Sequence, residues 1–128
     1  MLITGLVFAA LAALLHVYIF VMESITWTSA RTRATFGATA EEATATKAMA
    51  FNQGFYNLFL AITVGIGIAL LAVGSTSAGL AMVLTGTASM TAAGVVLLAY
   101  DRTKASAAMK QLAFPLIAVI LTTVSLVS

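Results

Sequence analysis

Seven polar side chains lie in stretches that are otherwise apolar: His16, Glu23, Asn52, Gln53, Tyr56, Asn57 and Gln111. An imidazole, a carboxylate, a phenol and a row of amides can bind and orient a polar small molecule. The first two can also move a proton. On a helix, at about 100° per residue, Asn52 stacks on Tyr56 and Gln53 on Asn57, so the two rows form one polar face. His16, Glu23 and Trp27 fall within about 20° of one line down another helix.

These faces share a depth. With Trp27 as an amphipathic ring at headgroup level, the 1.5 Å rise puts Glu23 roughly 6 Å and His16 roughly 16 Å inside the membrane. Counted from Lys47, Asn52 lies about 7 Å and Asn57 about 15 Å inside by the same rise. The expected contacts are Glu23 with Asn52 or Gln53 and His16 with Asn57 or Tyr56, with Gln111 entering at the shallow end. Hydrogen-bonding glue between helices, worth about 0.6 to 2 kcal/mol per residue, accounts for the amides as well as a site does. It accounts less well for Glu23, because an unpaired carboxylate in hydrocarbon costs about 2.5 kcal/mol or more. His16 and Glu23 are separated by about 10 Å of helical rise, too far to share one ion, so no metal site is expected.

The elements that carry these residues follow from composition. Of the 128 residues, 62% are hydrophobic and 8% charged, far from the roughly one quarter charged of a soluble domain. Four spans of the length needed to cross a bilayer run over about 2–24, 48–73, 78–100 and 108–127. The expected fold is an all-α, four-transmembrane-helix antiparallel bundle forming a single domain over 1–128. The first run lacks the basic start of a signal peptide and is read as retained. Six basic and four acidic residues are too few and too dispersed to form a nucleic-acid surface. No Cys is present, which removes disulfides, thiolate metal sites and thiol catalysis. There is no phosphate loop, HExxH or nucleophile elbow.

Local signals set the boundaries. The first helix is expected to continue past the membrane to about Arg33 and to stop at Gly37. Thr39 and Glu42 form a capping-box pattern, so the second long helix should start near Ala40. The run 74–77 is a short turn, and Pro115 should kink the fourth helix. Continuing the row of Asn57 gives Ala61, Gly65 and Ala69, a small-residue ridge expected to face into the bundle. Arg31, Arg33 and Lys47 lie in one loop region, and Arg102, Lys104 and Lys110 in another. Such loops stay cytoplasmic, which places 25–47 and 101–110 inside a cell inner or plasma membrane and both termini opposite.

The strings Leu15-His16-Val17-Tyr18-Ile19 with Glu23 and Trp27, and Asn52-Gln53-Gly54-Phe55-Tyr56-Asn57-Leu58-Phe59-Leu60-Ala61, together with Gln111 and Pro115, resemble a family of small bacterial integral membrane proteins. That family has four spans and is catalogued as a domain of unknown function. The resemblance implies the same fold and points to the same polar residues. It implies no substrate.

Three functions compete. One is a membrane protein whose polar pocket, in the cytoplasmic half of the bundle, binds a small or lipid-like molecule. If that site is catalytic, His16 or Glu23 transfers the proton and the amides orient substrate. The second is a small transporter or channel subunit, working as a homo-oligomer through glycine and alanine faces that include Gly86 and Gly94. The third is a structural assembly role. The bilayer is the one partner that all three share, and no cofactor can be named.

Overall fold

Where nearly every residue is apolar, hydrophobicity cannot choose which face of a helix turns inward, and side-chain size does so instead. The computed structural model describes residues 1–128 and is helical with no strand. Helix α1 (Leu2–Phe20) passes into a single π-helical turn, Val21–Ile25. A short helix α2 (Ala30–Phe36) follows, and then the long α3 (Ala40–Ala72), α4 (Thr76–Tyr100), a 3₁₀ turn at Arg102–Lys104 and α5 (Ala105–Val127). Four helices are long and apolar enough to cross a membrane. Neighbours in sequence pack as neighbours in space, and α1 closes the ring against α5, so the bundle runs up, down, up, down.

The inward seam of each helix is small and repeats every three or four residues. On α1 it is Gly5, Ala9, Ala12, His16 and Ile19, and on α4 it is Gly79, Val83, Gly86, Met90 and Gly94. A Cβ on Gly67 would come within 2.8 Å of the Val83 backbone nitrogen and 2.9 Å of the Gly79 carbonyl, so α3 and α4 meet backbone to backbone. Pro115 is fully buried within α5, which runs on through it.

The start of α3 is as expected. Thr39 accepts from the Glu42 N–H at 3.1 Å, and the Glu42 carboxylate accepts from the Thr39 N–H at 2.8 Å. Gly37 ends α2 at φ 64°, and Gly74 ends α3 at φ 86°. The turn after α3 is tighter than 74–77, since α4 already begins at Thr76.

Three expectations are corrected. The first helix does not run on to Arg33. The Thr26 N–H bonds back to the Val21 carbonyl at 2.9 Å, an i→i−5 link that ends the helix, and the chain bends before α2. The row Ala61, Gly65, Ala69 does not stay inside, because Gly65 and Ala69 are exposed and a Cβ on Gly65 meets nothing within 4 Å. Each i+4 step drifts about 40° around a helix, whereas the buried residues Gly54, Asn57, Ala61, Val64 and Gly67 mix steps of three and four and hold the seam. Gly86 and Gly94 are not free for a second copy, since they receive Val64 and Leu112 from within the bundle.

Candidate functional site

The π turn positions the site. A π-helical turn fits an extra residue into the helix, so that Met22 and Glu23, adjacent in sequence, are both buried. Opposite them α3 carries Gly54, the one residue there without a side chain. A Cβ on Gly54 would lie 3.0 Å from both Glu23 Cβ and the Ser24 backbone nitrogen, and would overlap Ser24 Oγ. Ser24 Oγ instead donates to the Phe51 carbonyl at 2.7 Å, and Phe20 packs edge-on against Phe55 with centroids 5.1 Å apart. This close crossing brings the Glu23 carboxylate to α3.

There it meets Asn57, whose Nδ2 donates to Glu23 Oε2 at 2.7 Å. The same amide nitrogen also reaches the Gln53 carbonyl at 3.3 Å, which fixes the plane of the side chain. Both residues are only 7% exposed, so this charge-capable pair lies inside the bundle. His16 sits deeper on the α1 seam and is completely buried. Its Nδ1 lies 2.8 Å from the Ala12 carbonyl, which can only accept, so Nδ1 carries the proton. In the neutral tautomer that this bond selects, Nε2 is an acceptor, and the protein offers it no hydrogen-bond partner.

The seven expected residues do not converge as one cluster. His16, Glu23 and Asn57 are buried, Gln111 is half-buried on α5, and Asn52, Gln53 and Tyr56 are exposed, Tyr56 by 61%. Glu23 pairs with Asn57 and not with Asn52 or Gln53, one turn further along α3 than the depth count gives. His16 bonds to its own helix and not to Asn57 or Tyr56. The reason is Trp27. It is not a freestanding marker at the lipid surface but lies beyond the π turn, where its indole donates to Thr46 Oγ1 at 3.2 Å and stacks near Phe36. A depth scale counted from it along a regular helix is therefore displaced. Ser24 and Gly54 are the contributors that spacing alone did not single out. A lone glycine in the middle of a polar string on a membrane helix was the available signal for a close crossing.

At the loop end of the bundle, Lys104 Nζ donates to the Phe36 carbonyl at the end of α2 and ties the 101–104 turn to the first loop. A cation at a helix C-terminus also suits the negative end of the helix dipole.

The fold and its buried polar centre define a four-span integral membrane protein. The chain belongs to the family described as Protein of unknown function (DUF1304), whose model matches residues 10–123, a stretch containing His16, Glu23 and Asn57. No curated protein and no solved structure matches it.

Proposed function

We propose that the protein binds a small polar molecule, or the polar part of a lipid-like one, in the cytoplasmic half of its bundle through His16, Glu23 and Asn57. The observation that carries this reading is His16: a fully buried ring whose Nε2 acceptor has no protein partner. An acceptor shut away without a donor costs about 1–3 kcal/mol. Packing alone would favour an aliphatic residue at that position. Two acceptors on one seam, the imidazole Nε2 and the Glu23 carboxylate, suit a ligand that donates through hydroxyl or amine groups. By the 1.5 Å rise they are about 10 Å apart, so such a ligand is elongated along the helix axis. Asn52, Gln53, Tyr56 and Gln111 have no part in this narrower site.

The six basic residues support the orientation given above, with the loops at 25–47 and 101–110 in the cytoplasm of a cell whose membrane the bundle spans. Native mass spectrometry of protein gently extracted from its own membrane, beside folded His16→Leu and Asn57→Ala variants, tests the binding reading. A stoichiometric bound mass on the wild type that both variants lose is the expected result. A wild-type protein that is always empty overturns it and returns the weight to an oligomeric transport role or to assembly.

A further inference from the structure

A groove lies at another seam of the bundle, where the end of α4 and the 3₁₀ turn meet the start of α5. These helices pack closely at Gly94, where a Cβ would stand 3.0 Å from Leu112 Cβ and 3.4 Å from its Cα. Val95, Leu98 and Ala99 stand at i, i+3 and i+4 on one face of α4, and with Arg102 and Ala105, which follow the end of that helix, they line an open groove of about 430 Å³. The walls are apolar except for Arg102, which is exposed where the spans meet the loops. The carboxylate next to it in sequence, Asp101, is turned to Thr103 instead, accepting from its N–H at 2.9 Å and from its hydroxyl. Lys104 is likewise engaged, by the Phe36 carbonyl.

We infer that this groove holds an anionic phospholipid of the cytoplasmic leaflet, one acyl chain lying along Val95, Leu98 and Ala99 and the headgroup phosphate on the Arg102 guanidinium. Charge complementarity selects this occupant. A guanidinium presents paired N–H donors that fit a phosphate bidentately, and this one is spared by the neighbouring acid. Basic positions between membrane helices on the cytoplasmic side are where anionic headgroups are held. An apolar groove open sideways to the bilayer excludes water and admits hydrocarbon, and its volume lies within the range of small-molecule sites, about 300–1,000 Å³. One lipid satisfies both ends of the groove.

The experiment is native mass spectrometry of the full chain in detergent, titrated with phosphatidylglycerol or phosphatidylcholine of identical acyl chains. Arg102→Gln removes the charge, Ala99→Phe fills the groove, and Arg31→Gln removes a basic residue elsewhere on the same side. Circular dichroism and thermal melts establish that each variant is folded. The wild type should retain one phosphatidylglycerol more strongly than phosphatidylcholine. Arg102→Gln should weaken the phosphatidylglycerol adduct about fivefold, the worth of one basic residue at an anionic surface, while Arg31→Gln leaves it unchanged. Ala99→Phe should remove both lipids and serves as the decisive arm if Arg102→Gln does not fold. Equal retention of the two lipids by the wild type overturns the assignment. So does an equal loss in Arg102→Gln and Arg31→Gln, or lipid binding that survives Ala99→Phe.

Discussion

Asn57 Nδ2 donates to Glu23 Oε2 across the interface of α1 and α3 at 2.7 Å, and both side chains are buried. The bond depends on two departures from regularity, a π turn that swings Glu23 inward and a glycine at position 54 that lets the backbones approach. Neither departure concerns the chemistry of the pair itself. The arrangement joins a carboxylate, which is costly in a membrane interior, to one of the few side chains that can satisfy it without adding a charge.

Breaking this pair from either side should therefore be measurably non-additive. Asn57→Leu leaves the carboxylate without its donor and should cost about 1–3 kcal/mol. The double variant Glu23→Leu, Asn57→Leu should cost less than the sum of the single changes, by about 0.6–1.7 kcal/mol, the usual coupling of polar pairs between membrane helices. Unfolding in mixed detergent micelles followed by circular dichroism measures all four corners of the cycle. Strict additivity would mean that the two side chains do not interact.

The glycines of α3 offer a sharper contrast. Gly67 and Gly65 are two residues apart, yet a Cβ at Gly67 meets Gly79 and Val83 backbone atoms within 2.9 Å while one at Gly65 meets nothing within 4 Å. Backbone cannot rotate out of the way. Gly67→Ala should destabilise the bundle by about 1–3 kcal/mol through overpacking. Gly65→Ala should be neutral or stabilising by up to about 1 kcal/mol through helix propensity. Melting temperatures of the two variants in one detergent decide it, and equal values would remove the backbone contact from consideration.

The turn that presents Lys104 to α2 should respond to acid. Hydrogen bonds from the Thr103 hydroxyl and N–H, with Lys104 adding a smaller attraction, hold the Asp101 carboxyl below its ordinary value of 3.8. A depressed folded value means that the carboxylate favours the folded turn at pH above the unfolded value. That contribution is lost as pH falls through the lower, folded one. Carbon-13 titration of the Asp101 carboxyl should show a midpoint below 3.8 that rises toward it in Thr103→Val and not in Thr103→Ser. An unchanged midpoint in Thr103→Val would assign the shift elsewhere.

Much of this arrangement was legible in the residues. The capping box of Thr39 and Glu42, the stop at Gly37 and the four spans are local signals, and each works through atoms within a few residues of itself. The π turn at Val21–Ile25 carries no such mark. It has neither Gly nor Pro, and its only counterpart in the sequence is a glycine about thirty residues away, Gly54, which packs against Ser24. The inward face of α3 was misjudged for a related reason. Rows at i+4 describe one straight helix, whereas a seam shared with neighbours follows steps of three and four, which kept Asn57 inside and turned Gln53 and Tyr56 outward.

His16 separates a binding site from helix glue by the sign of a single substitution. If the ring served packing and cross-helix bonding, replacing it would weaken the bundle. But its one hydrogen bond is to its own helix, at Ala12, and Nε2 is buried with no partner. Exchanging an unsatisfied polar group for an apolar one of similar size is close to neutral or stabilising. His16→Leu should thus leave the melting temperature of the purified, ligand-free protein unchanged or raised, while removing the mass that the wild type carries out of its membrane. Gain or retention of stability together with loss of that mass is the signature of a residue kept for what it binds. A fall of about 2 kcal/mol or more, of the size expected from losing core packing, would show that His16 is structural and would remove the principal support for the binding reading.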